Sequence, residues 1–280
     1  MFEILKKENL CASVVRMTID APLVAAKAQP GQFVILRVAP DGERIPLTVA
    51  DYDRAAGTVT VIFQTVGATT LALSYKEVGE CLTDFVGPLG RATDTAGLRK
   101  VAVIGGGVGC AIALPVAKKL YEQGTVVHCV CGFRSGEQVI LQDEFFSHSH
   151  KLITMTDDGS FGEQGLVTDA LRRLIESGET YDEVIAIGPI PMMKFVSLLT
   201  AEYGIKTVVS MNPIMIDGTG MCGGCRLTVG GQVKFACVDG PEFDGHQVDF
   251  DEVMQRSRLY QENERHAYEQ ACHLFQKEVQ

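Results

Sequence analysis

The sequence predicts a small all-β fold, then an α/β domain with a doubly wound parallel sheet, and last a cysteine-rich loop with a helix. Three observations support this order. Residues 1–95 contain short alternating segments, residues 100–210 contain apolar runs between helical patterns, and residues 211–245 are rich in glycine and cysteine. The 280 residues are enough for about two domains.

The N-terminal region has the alternation and the β-branched residues of strands. The predicted strands are residues 10–20, 32–38, 48–50 and 58–65. Turn-forming residues separate them, residues 71–75 predict a short helix, and the sequence GPLG at 87–90 predicts a closing turn. Strands of this length and spacing predict a small barrel or sandwich.

In the second region, the hydrophobic pattern changes from alternation to continuous apolar runs. Five apolar runs are typical of buried parallel strands, and they lie at residues 101–104, 126–130, 152–155, 184–187 and 208–209. Helical patterns fill the gaps at residues 111–122, 166–177 and 192–203. Strands that alternate with helices predict a doubly wound parallel sheet. Residues 249–280 are polar with a helical pattern and a thin apolar stripe, which we expect to dock on the body or on a partner.

Composition narrows the class of protein. The net charge of −10 argues against nucleic acid as a partner. No apolar run reaches the roughly 18 residues of a membrane span, and residues 1–15 lack the apolar stretch of a signal peptide. The nine cysteines favour thiols and metal ligation over a disulfide framework. We therefore expect a cytoplasmic protein.

A glycine-rich turn follows the first strand of the second region. The sequence GGGVG supplies Gly105, Gly106, Gly107 and Gly109 directly before a helix. Glycine lets the backbone approach a pyrophosphate, and a helix N-terminus attracts its charge. The turn is not the usual GxGxxG sequence, so a plain tight turn is the alternative.

Further polar and glycine-containing loops follow the other strands, where ligands bind in open α/β sheets. Asp158 follows the third strand, and Arg134 follows the second. An arginine near this point can hold the 2′-phosphate of NADP, whereas an acid favours NAD, and Arg134 with Glu137 leaves that choice open. A solvated surface charge is the alternative role for Arg134. The loop after the fourth strand supplies Gly188, Pro189, Pro191 and Met192.

The run from Asp217 to Cys237 has the spacing D-x4-C-x2-C-x11-C, with Cys222 and Cys225 between them. Plant-type 2Fe–2S proteins use C-x4-C-x2-C and a distant fourth cysteine. Here the first ligand position holds an aspartate, whose carboxylate is a harder donor than a thiolate. The alternatives are a zinc knuckle, or a turn role for Asp217 with the fourth ligand elsewhere.

Two segments of the barrel region carry weaker signals. Arg44, Pro46, Leu47 and Thr48 end one segment, and the sequence VGATT at 66–70 opens a short helix. An arginine can hold a diphosphate, a threonine hydroxyl can bond a flavin ring, and a helix N-terminus accepts phosphate.

Taken in order, these segments resemble the ferredoxin–NADP reductase superfamily over about residues 1–260, with TDDGSFGEQG at 156–165 and the cysteine loop as the most specific parts. They resemble more closely the electron-transfer subunits of dihydroorotate dehydrogenase, and more closely still the small subunits of NADH-dependent reduced ferredoxin:NADP oxidoreductases. Asp217 distinguishes these two groups, because the first usually has a cysteine there.

The resemblance implies an FAD-binding β-barrel at 1–97, an NAD(P)-binding α/β domain at 98–210, a 2Fe–2S segment at 211–246 and a helical tail at 247–280. It places FAD on Arg44, Pro46, Leu47 and Thr48, with its pyrophosphate on Gly67, Thr69 and Thr70. It places the nicotinamide nucleotide on the glycine turn, on Asp158 and on the loop from Gly188 to Met192, and the cluster on Asp217, Cys222, Cys225 and Cys237. Arg44 and Thr48 are one residue further apart than in the superfamily motif, which a bulge would absorb.

The resemblance also implies an enzyme subunit that exchanges hydride with NAD(H), with NADP(H) less favoured. It would pass electrons to a larger subunit with a flavin and 4Fe–4S clusters, in a heterodimer or higher complex that bifurcates electrons and meets ferredoxin only indirectly. No catalytic acid or base is required, and we name none. The alternatives are a subunit of dihydroorotate dehydrogenase or another flavoenzyme complex, and a non-catalytic nucleotide-binding module with a zinc knuckle.

Overall fold

The structure is a computed structural model that describes the backbone of residues 2–278 and the side chains of residues 2–272. The end of the predicted tail, residues 279–280, lies outside the described residues. The first sheet has seven antiparallel strands in the order β6-β1-β2-β5-β4-β3-β7. They are β1 (Phe2–Cys11), β2 (Val14–Asp20), β3 (Phe33–Arg37), β4 (Arg44–Asp53), β5 (Thr58–Gln64), β6 (Cys81–Leu82) and β7 (Asp84–Leu89).

This sheet forms the predicted barrel and is nearly closed, since Thr83 alone separates its two outermost strands along the chain. Two helices connect strands of this sheet, α1 (Pro22–Ala25) between β2 and β3, and α2 (Ala68–Tyr75) between β5 and β6. Alternate residues face inward, as Met17 and Ile19 of β2 show, because side chains of a strand point to opposite faces.

Two details of the barrel differ from the sequence prediction. The predicted strand at 10–20 contains the end of β1, a turn at residues 12–13 and the whole of β2, and residues 2–9 of β1 were not predicted. The predicted turn at 87–90 was wrong for most of its length, because β7 continues to Leu89. Proline is tolerated there since β7 is an edge strand. Gly87 is required at this point, because a Cβ atom would lie 2.8 Å from Val34 Cγ1.

The second sheet is the predicted doubly wound parallel sheet. Its parallel strands have the order β11-β10-β9-β8-β12-β13. They are β8 (Lys100–Gly106), β9 (Val126–Phe133), β10 (Lys151–Thr156), β11 (Glu163–Gln164), β12 (Glu183–Ile187) and β13 (Thr207–Ser210). The chain turns from one direction to the other beside β8, which is where such sheets bind ligands.

Helices cover both faces of this sheet. They are α3 (Gly109–Glu122), α4 (Gln142–Ser147), α5 (Val167–Glu176) and α6 (Ile190–Glu202), with a 3-10 turn at Gly136–Gln138. Helix α3 packs in one apolar core, and α5 and α6 pack in the other. The strands are buried from both sides, which explains their continuous apolar runs.

The chain after β13 leaves the sheet and then returns to it. The excursion contains a two-stranded ribbon and a short helix, namely β14 (Arg226–Val229), β15 (Gln232–Phe235) and α7 (Ala236–Asp239). Strand β16 (Glu242–Asp244) then pairs antiparallel with β13 at the edge of the sheet. The predicted cluster segment is thus held by the nucleotide sheet at both ends.

Two helices follow, α8 (Phe250–Ser257) and α9 (Gln261–Glu278). The Asp249 carboxylate caps α8 by accepting a hydrogen bond from the Glu252 amide. Val253 is buried in the apolar core that also contains α5 and α6. Helix α9 lies beside α2 of the barrel. None of the helices within residues 2–278 has the length and apolarity to cross a membrane.

A buried histidine makes the stability of the fold depend on pH. His128 on β9 has its Nδ1 atom 2.9 Å from the Tyr181 hydroxyl. Burial lowers the pKa of His128, so the folded protein holds the neutral ring. As the pH falls through the ordinary value of about 6.5, the unfolded chain binds a proton that the folded chain does not, and stability is lost.

We therefore expect His128→Gln to reduce the loss of thermal stability between about pH 7.5 and about pH 5.5. Thermal melts of the wild type and the variant measure this difference. The control is His266→Gln on α9, whose ring is on an exposed helix surface. Equal pH dependence in the two variants would contradict the assignment.

Candidate functional site

One large cavity lies between the barrel and the carboxyl ends of the parallel strands. Its volume is about 940 Å³, at the upper end of the range for ligand pockets. The barrel contributes β4, β5 and the start of α2, and the second sheet contributes the loops after β8, β9, β10, β12 and β13. The cavity brings together most of the residues predicted to bind FAD or the nicotinamide nucleotide. They are Pro46, Leu47, Thr48, Thr70, Gly106, Gly107, Gly109, Arg134, Gly188, Pro189, Pro191 and Met192.

The glycines after β8 have different reasons to be glycine. A Cβ atom on Gly109 would lie 2.5 Å from the Ile187 carbonyl oxygen, so this glycine lets α3 pack against β12. A Cβ atom on Gly106 would lie 2.4 Å from Met192 Sδ. Gly107 has φ +54°, and open space surrounds its Cβ position. The turn therefore leaves open space at Gly107, which lines the cavity.

The N-terminus of α3 adds an electrostatic field that favours an anion in the cavity. The 14-residue helix begins at the cavity, and no side chain caps its first turn. The amides of Cys110 and Ala111 already donate to the Gly107 and Val108 carbonyls, so the helix offers an anion chiefly its partial positive charge. Gly105 lies outside the cavity lining, where a Cβ atom would be 2.7 Å from Cys110 Sγ. Gly105 thus permits the close packing of α3 rather than contact with a ligand.

The loops after β9 and β10 lie side by side. The Asp158 amide donates to the Arg134 carbonyl at 3.4 Å, and Asp157 and Arg134 both line the cavity. Asp158 itself lies outside the lining. Its Oδ1 atom accepts bonds from the Ser160 hydroxyl at 2.6 Å and the Ser160 amide at 3.0 Å, which lower the pKa of Asp158. Asp158 therefore shapes the loop, while its neighbour Asp157 faces the cavity.

On the barrel side, residues 46–48 of β4 and the first turn of α2 border the cavity. The Thr70 hydroxyl accepts a bond from the Gly67 amide at 3.0 Å and donates to the Gly67 carbonyl, so it caps α2. Thr69 is turned away, and its hydroxyl donates to Glu43 at 3.1 Å. The eight-residue helix still presents its N-terminal end to the cavity.

Arg44 lies outside the cavity lining. Its Nη2 atom is 3.4 Å from Asp84 Oδ2, a carboxylate that Arg37 also contacts. The pairing of β4 with β3 is regular from Arg44 to Thr48, so no bulge absorbs the extra residue between them. The irregularity of β4 lies later, between Val49 and Asp51. Arg44 therefore forms an ion pair on the barrel and does not line the cavity, and the extra residue between Arg44 and Thr48 lies in a regular part of the strand.

The cysteine loop gathers part of the predicted ligand set. Cys225 and Cys237 are buried, and their Sγ atoms are 3.2 Å apart without a disulfide. Asp217 Oδ2 accepts a bond from the Cys222 amide at 2.8 Å, and its Oδ1 accepts one from the Thr219 amide at 2.8 Å. Within residues 2–272, no group of three or more histidine, cysteine and acidic side chains is already arranged around a metal position.

The chemistry of this donor set fits a metal cluster. Burial, above all, and the neighbouring Cys225 raise the pKa of the Cys237 thiol to about 12, and the Asp217 charge acts in the same direction. A bound metal reverses this effect, since coordinated thiols lose their protons. The backbone of Gly220 acts in the opposite direction and lowers the pKa of Cys237. Two buried, adjacent thiols suit a small inorganic core.

The sequence analysis missed several residues of the cavity. Residues 210–212 follow β13, and Met215 and Pro241 border the same space. Phe33, Gln138 and residues 166–168 also line it. These residues carry no recognisable motif. The end of β13 was the one available signal, because all carboxyl ends of a parallel sheet meet at one edge.

Comparisons with known families assign two parts of the chain. Residues 103–198 match the oxidoreductase NAD-binding domain. Residues 212–249 match the iron–sulfur cluster binding domain of dihydroorotate dehydrogenase B. The second match contains all four predicted cluster ligands and favours iron–sulfur over a zinc knuckle.

Individual proteins and a solved structure are similar to this chain over most of its length. The dihydroorotate dehydrogenase B electron transfer subunit homolog of Thermotoga maritima is 47% identical and covers 95% of this chain and 94% of its own. The electron transfer subunit of Bacillus velezensis is 34% identical and covers 84% and 93%. A chain solved in work on electron bifurcation by NADH-dependent reduced ferredoxin-NADP oxidoreductase is 46% identical, with a TM-score of 0.91 and coverage of 96% and 97%.

The cofactors follow from these matches and the fold. The chain has an NAD-binding oxidoreductase domain, a barrel of the flavin-binding type and an iron–sulfur segment, so its cofactors are NAD(H), FAD and a 2Fe–2S cluster. The residues described above fit all three groups. The chain belongs to the family of oxidoreductase electron-transfer subunits that includes those of dihydroorotate dehydrogenase B and their homologues.

Proposed function

We propose that this chain exchanges hydride with NAD(H) in the cavity and passes electrons through the cysteine loop to a larger partner subunit. The observation that carries this proposal is a cavity that both the barrel and the nucleotide sheet line. FAD accepts hydride from a nicotinamide and a 2Fe–2S cluster carries single electrons, so together they link a two-electron donor to one-electron steps. The protein supplies binding, orientation and electrostatics.

The residues of the second sheet would hold the nicotinamide nucleotide. Gly107 would admit its pyrophosphate to the N-terminus of α3, and Gly106 and Gly109 line the same turn. Arg134, after the second strand, and Asp157, after the third, would lie beside the nucleotide, since both line the cavity. Gly188, Pro189, Pro191 and Met192 close the opposite wall beside Gly106. Gly105 and Asp158 support this site through packing and through the Ser160 loop.

The barrel would hold FAD. Pro46, Leu47 and Thr48 would form the wall that faces the nucleotide loops. Thr70 lines the cavity and would present the start of α2 to the pyrophosphate, while Gly67 lies outside the lining and is bonded to the Thr70 hydroxyl. Arg44 and Thr69 do not line the cavity. They would support the FAD site indirectly, through the contact of Arg44 with Asp84 and of Thr69 with Glu43. In this arrangement the units 1–97, 98–210 and 211–246 carry FAD, NAD(H) and the cluster, with 247–280 as a bracing tail.

The identity of the partner rests on similarity. The 46% identical relative was solved in work on flavin-based electron bifurcation, and it covers 96% of this chain. We propose a large flavin and 4Fe–4S subunit of the ferredoxin:NADP transhydrogenase type as the partner, in a cytoplasmic heterodimer or higher complex. A dihydroorotate dehydrogenase is the second candidate, because the Bacillus velezensis subunit is 34% identical.

The proposal is tested by purifying the full chain without oxygen, alone and with its native partners. We expect a flavin spectrum with cluster absorption, about two iron and two sulfide per chain, and bleaching by NADH. A colourless protein that contains zinc would refute the redox function. Co-purification of a flavin and 4Fe–4S subunit supports the transhydrogenase type, and NADH-linked dihydroorotate oxidation by the complex supports the other.

Asp217 offers a separate test of the ligand set. If its carboxylate binds iron, Asp217→Cys retains a 2Fe–2S cluster with a changed reduction potential, and Asp217→Ala weakens or loses it. Redox titration followed by electron paramagnetic resonance, with iron analysis, measures both results.

Asp217→Asn is a further variant, which removes the carboxylate charge. It can keep only one of the two turn bonds, because Asp217 accepts from Thr219 with Oδ1 and from Cys222 with Oδ2, and an asparagine side chain has a single oxygen. An unchanged cluster and potential in Asp217→Asn would remove Asp217 from the ligand set.

A further inference from the structure

Two guanidinium groups reach the peptides between Cys222 and Cys225. Arg226 Nη1 donates to the Gly223 carbonyl at 3.3 Å, and Arg256 Nη2 donates to the Gly224 carbonyl at 3.3 Å. They come from different parts of the fold, because Arg226 begins β14 and Arg256 lies in the last turn of α8. Both carbonyls of the short stretch between the two predicted ligands thus face a positive charge.

These charges are not neutralised by carboxylates. Among the described residues, neither guanidinium forms an ion pair within 4.0 Å. The acids of α8 are engaged elsewhere. Glu252 accepts a bond from the Thr228 amide at 2.9 Å, and Asp251 contacts Lys194 at 2.7 Å. The loop therefore keeps two positive charges in a chain with a net charge of −10.

The peptide geometry adds to the effect of charge. In a planar trans peptide the C=O and N–H groups point in opposite directions. Guanidinium groups that hold the Gly223 and Gly224 carbonyls therefore direct the next two amide N–H groups to the other side. The Cβ position of Gly224 is 3.7 Å from Cys222 Sγ, so this part of the backbone lies against a predicted ligand. Amide donors near ligand sulfur raise a reduction potential.

We propose that Arg226 and Arg256 tune the cluster by raising its reduction potential, which makes the loop a better electron acceptor. This inference rests on the ligand set of the proposed function. The reduced cluster carries one more negative charge, and nearby positive charges favour that state. Arg256 lies outside the segment 212–249 that matches the cluster-binding family, so α8 would be part of the electron-transfer site.

The test is a redox titration of the full-length protein with its cofactors, followed by electron paramagnetic resonance. Arg256→Gln and Arg226→Gln are each expected to lower the reduced-to-oxidised ratio at a fixed potential about three- to tenfold, which is about 30 to 60 mV for one electron. Arg256→Lys and Arg226→Lys keep the charge and should stay closer to the wild type. Arg99→Gln is the matched control, because Arg99 pairs with Asp182 at the start of β8.

The outcomes separate this inference from the proposed function. A wild-type protein without a cluster refutes the function itself. A cluster whose potential in both glutamine variants equals that in Arg99→Gln refutes the inference, as does an equal fall in the lysine and glutamine variants. If Arg256→Gln fails to hold a cluster, the Arg226 pair decides by the same criteria.

Discussion

The Cys225→Ser protein is expected to lose its iron and acid-labile sulfide almost completely while still oxidising NADH with a two-electron dye. Cys225 is buried 3.2 Å from Cys237, and a serine hydroxyl is a poor substitute for a thiolate on iron. The nucleotide cavity does not include Cys225, so hydride exchange there should persist. Iron analysis, the visible spectrum and the dye assay measure the two effects separately.

The matched control is Cys129→Ser. Cys129 is equally buried on β9, so the control carries the same cost of placing a hydroxyl in an apolar site, about 1–3 kcal/mol. It should keep full iron and sulfide. Equal iron loss in both variants would show a general effect on folding, and retention of the cluster in Cys225→Ser would exclude Cys225 as a ligand.

The second large effect is expected at Gly107. Gly107→Ala should raise the KM for NADH by roughly ten- to a hundredfold, because the added methyl group displaces the pyrophosphate from charge-assisted amide bonds. The protein should still fold, since the Cβ position is open and only the strain at φ +54°, about 1 kcal/mol, is added. Steady-state kinetics and nucleotide binding measure the change.

Gly97→Ala is a close control for this variant. Gly97 has φ +71° and open space at its Cβ position, and it lies outside the cavity lining. It therefore carries similar backbone strain without contact with a ligand. An unchanged KM in Gly107→Ala, or an equal rise in Gly97→Ala, would show that the turn does not hold the nucleotide.

The sequence predicted the parallel sheet better than the barrel, for a physical reason. Strands such as β8 and β12 are buried on both faces and appear as continuous apolar runs. Strand β1 is half exposed, with Lys6, Lys7 and Glu8 in its middle, and has no such run. Strand β16 has three residues and owes its place to pairing with β13, which local sequence does not reveal.

The site was predictable where a backbone shape requires a residue type. Gly107 was identified from its place between a strand and a helix. The outward turn of Thr69 depends on Glu43, and the position of Arg44 depends on Asp84, a residue forty positions later in the chain. Arg256 reaches Gly224 from a separate helix. Such pairings are tertiary, so a motif alone cannot specify them.

The return of the chain at β16 has a consequence for the electron path. The Met211 amide donates to the Pro241 carbonyl at 2.8 Å, so the excursion that carries the cysteines is pinned at its base. Both of these residues line the cavity. This hydrogen bond therefore fixes part of the electron-tunnelling path between the cavity and the cysteine loop. The Arg91 amide, just after the barrel, donates to the adjacent Gly240 carbonyl at 2.7 Å, so a movement of the barrel relative to the sheet would also strain that path.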